Sequence, residues 1–151
     1  MHILLTIHLL SAVIWVGGMF FAYVCLRPVA ASMLEPPTRL SLWAGVFKKF
    51  FLWVWISVAV LILSGHGMIA IYGGFAQIGT HIHIMLGLGY LMIALYAFLY
   101  FMRYKRLCQA VSEENWPMAG TYLNKIRHIV AVNLVLGLIT VAVASGGKYL
   151  F

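Results

Sequence analysis

Acid is nearly missing from this chain: of its 151 residues only three are Asp or Glu, namely Glu35, Glu113 and Glu114. All three fall between long apolar runs, which excludes paired-carboxylate catalysis, a Ser-His-Asp triad and carboxylate-coupled proton movement in an apolar core. Cysteine is equally scarce. Cys25 and Cys108 stand far apart with no C-x-x-C spacing, so neither a disulfide framework nor a thiolate-held cluster is indicated. Charged residues of either sign make up only 9% of the sequence. Alternating ten-residue strand patterns, internal repeats and low-complexity tracts are missing too, which argues against a barrel.

What the chain has is hydrocarbon. Apolar residues are 64% of the total and mean hydropathy is +1.01, far outside the range of a soluble domain of this size. Four stretches carry no Asp, Glu, Lys or Arg: Ile3 to Leu26, Phe50 to Tyr72, His81 to Met102 and His128 to Gly147. Each reaches the roughly 20 helical residues that cross a bilayer core of about 30 Å. The expected fold is therefore all-α, an integral membrane four-helix bundle forming one domain over residues 1–151. The first run has no basic flank before it and no small-residue cleavage site after it, so it reads as a retained span.

Basic residues set the orientation. Arg27, Arg39, Lys48 and Lys49 lie between spans one and two, and Arg103, Lys105, Arg106, Lys125 and Arg127 between spans three and four. Only Lys148 lies elsewhere. The positive-inside rule then places both connections in the cytoplasm and both termini outside. The net charge of +7 is thus a topology signal beside anionic lipid, and no nucleic-acid partner is expected. Glu35-Pro36-Pro37-Thr38 reads as a turn with Thr38 as helix cap. Arg39 to Lys49 reads as a short interfacial amphipathic helix running into span two, and Ser112 to Trp116 opens a short cytoplasmic helix.

In that topology the histidines gather in one layer. At 1.5 Å per residue, His8 and His66 each lie roughly 8 Å below the outer ends of spans one and two, and His81 and His83 open span three on the same side. His128 lies at the opposite end and His2 at the terminus. Helical stripes refine the reading. His8 aligns with Ser11, Trp15 and Gly18, and His66 with Ala59 and Ile62. His83 aligns with Gly87, Tyr90 and Ala94, and His81 with Met85, Leu88 and Met92. On span four the small and polar stripe is Asn133, Gly137, Thr140 and Ala144. Small residues mark bundle interiors, so His83 and Gly87 are expected to face inward. Neutral imidazole ligates haem iron, copper and zinc, which makes His8, His66, His83 and His81 the candidate metal ligands, with Trp15 and Gly87 lining a cofactor pocket. The bland alternatives are helix-bridging hydrogen bonds or interfacial titration. Methionines add little, since Met68 and Met85 fall off the stripes of His66 and His83.

The run from His8-Leu9-Leu10 through Trp15-Val16-Gly17-Gly18-Met19-Phe20, the Leu26-Arg27-Pro28 that follows it and the histidine opening span three resemble a family. It is that of the four-helix membrane proteins grouped with copper-resistance protein CopD and with HemJ, the haem-containing protoporphyrinogen oxidase. Where the HemJ pattern has His-x-Lys, this chain has His81-Ile82-His83. The resemblance implies a multi-pass protein of the bacterial cytoplasmic membrane, with either a b-type haem or periplasmic-side copper held by bundle histidines. The first expectation is haem b near the periplasmic face, serving electron transfer or a haem-dependent membrane oxidoreductase with quinone or a periplasmic redox partner. The alternative is copper transport or resistance through the same histidines. A homo-oligomer is compatible with either.

Overall fold

The computed structural model describes residues 1–147; Lys148 lies outside them. Among the described residues the secondary structure is helical throughout, in four long rods: α1 (His2–Met33), α2 (Pro36–Ile71), α3 (Thr80–Ser112) and α4 (Trp116–Gly146). All four are long and apolar enough to cross a membrane, and each holds one of the four charge-free runs to within its last residue. At about 1.5 Å per residue α2 is roughly 54 Å long, so the rods overrun a 30 Å hydrocarbon core. The overrun falls at the basic end. Large apolar side chains such as Ile3, Val13 and Leu63 point outward, the arrangement lipid permits and water does not.

The connections explain the continuity. Pro36 and Pro37 occupy the first turn of α2, where a missing N–H costs nothing and φ is already helical. The cap position is therefore Glu35, extended at φ −62° and ψ 152°, and Thr38 is inside the helix rather than its cap. Arg39 to Lys49 is helical as expected, but it is the basic-end part of α2, with no separate interfacial helix. Likewise Ser112 closes α3, Glu114 turns the chain at φ 54°, and the Asn115 side chain accepts from the Met118 N–H at 3.3 Å to start α4. The short helix expected from Ser112 is thus the first turns of α4. At the far end the α2–α3 link turns through Gly73 and Gly74 at φ 97° and 93°, which glycine alone adopts without strain.

Two wide π-helical turns interrupt the rods, Phe21–Leu26 in α1 and Leu99–Tyr104 in α3. The first ends two residues before Pro28. A proline ring inside a helix collides with the carbonyl four residues back, here Val24, and a widened turn relieves that collision.

Packing pairs α1 with α2 and α3 with α4, and α4 also touches α1 and α2. By contrast α2 and α3 meet chiefly through the basic-end part of α3 and stand apart toward the histidine end. The well-packed half is aromatic. Phe47 and Phe51 stack at 4.9 Å, Tyr104 lies edge-on to Phe51 at 5.0 Å and Tyr96 edge-on to Trp55 at 5.0 Å. Two interhelical hydrogen bonds lock this region: the Tyr96 hydroxyl donates to Phe51 O at 2.9 Å, and Asn133 Nδ2 to Met92 O at 3.2 Å.

Candidate metal centre

His8 faces α2 as its stripe requires, with Ser11 and Trp15 of the same stripe buried below it. Its Nδ1 lies 2.8 Å from Ser64 Oγ. Ser64 has a single proton, which goes to the carbonyl of Val60 one turn back. With the hydroxyl proton on that carbonyl the serine oxygen accepts from His8, an arrangement that puts the imidazole proton on Nδ1 and leaves the lone pair on Nε2. The ring also lies over Gly65, where a Cβ would come within 3.4 Å of His8 Cε1.

His66 has the same polarity by a different route. Its Nδ1 lies 2.9 Å from Ile62 O, a carbonyl that can only accept, so Nδ1 is again the donor. Nε2 then accepts from the Tyr90 hydroxyl of α3 at 3.0 Å. Phe75, in the α2–α3 link, stands edge-on to the imidazole at 6.2 Å. Ser64 and His66 are two residues apart, about 3 Å along the axis and some 200° around it. His8 thus belongs to the α1–α2 seam and His66 to the open side between α2 and α3. Both are half-buried.

The other candidates are placed differently. His83 and Gly87 are exposed, and nothing lies within 4 Å of a Cβ built on Gly87, so the inward orientation expected for this stripe is corrected. Tyr90 shares that face and reaches His66, which puts His83 on the flank of the same open side. The stripe that packs on α4 is that of His81 and Met92. His81 lies against Gly147, where an added Cβ would stand 2.7 Å from His81 Cβ. The reason is that the small residue of this contact sits on α4: a Cβ on Gly137 would come within 2.9 Å of Val16 and 3.2 Å of Met92. Trp15 is 3% exposed and edge-on to Tyr96 at 6.0 Å, so it fills the core where a pocket wall was expected. His128 is exposed at the basic end and donates to Asn124 O at 2.8 Å.

Sequence reasoning missed Ser64 and the role of Tyr90. A serine in an apolar run ordinarily bonds its own preceding turn, so only the α1–α2 register reveals its second role. Tyr90 was on the correct stripe, yet its partner on α2 had no sequence signal. Among the described residues no three His, Cys, Asp or Glu side chains converge to hold a metal ion. The imidazoles at this end come from three rods, His8 from α1, His66 from α2 and His81 and His83 from α3.

A family model of copper resistance protein D, CopD, matches residues 44–146, covering most of α2 and all of α3 and α4. The chain belongs to the CopD family. The matched part of this CopD-family chain includes His66, His81 and His83, while His8 precedes it. No curated protein and no solved structure gives a match.

Proposed function

We propose that this CopD-family protein handles copper in the bacterial cytoplasmic membrane, taking the ion at the periplasmic face on imidazoles presented separately, His66 on the open side between α2 and α3 and His8 in the α1–α2 seam. One observation carries the reading: both rings place Nδ1 within hydrogen-bond reach of a protein oxygen, Ser64 Oγ at 2.8 Å and Ile62 O at 2.9 Å, which leaves Nε2 as the basic atom. Such anchoring fixes tautomer and ring orientation and raises ligand basicity, as it does for metal-binding histidines generally. Imidazole suits copper, and neutral rings in hydrocarbon bind a cation without a carboxylate beside them. Tyr90 covers the Nε2 of His66 and gives it up when copper arrives. His83, exposed on the same flank, is the entry ligand, and His81, packed on Gly147, is peripheral. Ligands offered singly from separate helices suit acceptance and release better than permanent storage.

Haem b has less support. A porphyrin needs a plate-sized slot beside inward imidazoles, whereas Trp15 is packed onto Tyr96 beneath His8 and His83 faces outward. Electron exchange with quinone or a periplasmic partner belongs to that second reading.

The test is a competition titration of the detergent-purified protein with Cu(I) against a chromophoric chelator. His8→Ala and His66→Ala should each weaken binding at least tenfold, the usual scale for losing one ligand or its support, while His128→Ala leaves it unchanged. Wild-type affinity in both outer variants would overturn the assignment.

A further inference from the structure

At the end of the bundle opposite the histidines, α1, α2 and α4 border a half-open cavity of about 650 Å³ that the copper reading does not use. Three arginines from three helices line it: Arg27 of α1, Arg39 of α2 and Arg127 of α4. Tyr23, Trp43 and Trp116 complete its aromatic walls, and none of the lining residues is acidic. Lys48 and Lys49, the other basic residues of α2, do not line it.

The guanidiniums are poorly satisfied by the protein. Arg127 Nε is buried with no hydrogen-bond partner among the described residues. Arg39 Nη1 makes only long contacts of 3.4 Å to Ala31 O and Leu34 O. Arg27 rests its guanidinium on the Tyr23 ring at 4.9 Å. Three like charges that share one partly enclosed space repel each other more strongly than they would in water. An arrangement of this kind is completed by an anion. Guanidinium forks match phosphate oxygens two by two, which lysine ammonium groups cannot do.

The geometry points to a binding site for a phosphate-bearing anion, the headgroup phosphate of an acidic phospholipid, held among Arg27, Arg39 and Arg127. Depth and size select the lipid over free phosphate. The cavity lies among the basic residues that the positive-inside rule puts at the cytoplasmic leaflet, where acidic lipids and interfacial tryptophans gather. Its volume falls in the range of roughly 300 to 1,000 Å³ that takes a whole small molecule, more than a bare phosphate fills. The proline-relieving wide turn at Phe21–Leu26 ends immediately before Arg27, so the same local distortion that admits Pro28 sets the position of the first arginine.

The experiment is native mass spectrometry of the full chain released from detergent after incubation with phosphatidylglycerol or, separately, phosphatidylcholine, with inorganic phosphate at matched ionic strength as a third arm. One retained phosphatidylglycerol per chain and no retained phosphatidylcholine is the expected result. Arg39→Gln, at the half-exposed rim, and Arg127→Gln should each reduce that retention at least tenfold. The Lys48→Gln, Lys49→Gln double variant should retain it. If Arg127→Gln does not fold, Arg39→Gln carries the test. Phosphate that saturates the wild-type protein, raises its melting temperature and fails to do so in Arg39→Gln, with no lipid retained, would keep the phosphate site and assign it a soluble ligand. Retention lost equally in the lysine double variant, or neither probe bound, would overturn the proposal.

Discussion

Replacing Ser64 by alanine separates the copper reading from simple packing. Ser64 is 1% exposed, and alanine fills nearly the same volume, so little cavity is created. What disappears is the acceptor for His8 Nδ1–H at 2.8 Å. The imidazole then loses both its fixed tautomer and its orientation, because no other hydrogen bond is made to that ring among the described residues. Removal of such a supporting partner typically lowers metal affinity by about 10- to 100-fold, or roughly 1.4 to 2.7 kcal/mol at room temperature. Stability should change less, since hydrogen bonds between membrane helices contribute about 0.6 kcal/mol on average. The assay is paired: Cu(I) competition titration, and thermal unfolding followed by circular dichroism in the same detergent. Affinity within twofold of wild type at unchanged melting temperature would refute the idea that Ser64 orients a ligand. A fall in melting temperature with copper affinity unchanged would make Ser64 a packing residue only.

Tyr90→Phe removes the hydroxyl that covers His66 Nε2; copper should then bind about threefold more tightly, the equivalent of one average membrane hydrogen bond, and a weaker site would make Tyr90 a helper instead of a competitor. Gly137→Val drives a branched side chain into Val16 and Met92, so thermal unfolding should show a loss of about 1 to 3 kcal/mol, with no loss if the α1–α3–α4 crossing is loose. Asn115→Ala deletes the cap of α4 and should cost about 1 kcal/mol in the same measurement, leaving copper affinity untouched because the site lies at the other end of the bundle.

The spans were legible because hydrocarbon states its rule directly: a charge-free apolar run of about 20 residues has the length of one helical bilayer crossing. Helix continuity was less so. The basic residues of Arg39 to Lys49 look like a surface helix in one dimension, yet Pro36 and Pro37 start the rod early and nothing after them stops it. The facing of α3 went astray for an instructive reason. Small residues mark close contacts, but only one helix of a pair needs to supply them, and Gly137 of α4 does so for Met92. His8 does face α2, on a stripe where Ser11 and Gly18 are small on the contacting side itself. The arginine cavity had no linear signature at all, since Arg27, Arg39 and Arg127 read as a topology signal until three helices bring them together.

The most direct test of copper at the outer imidazoles is the metal content and visible spectrum of the detergent-purified protein, expressed with both copper and haem supplied. Copper retained by the wild-type protein, reduced in His8→Ala and in His66→Ala and unaccompanied by a Soret band, is the expected result. A Soret band with sharp α and β bands on dithionite reduction, in protein devoid of copper, would contradict it and put haem b in the bundle instead.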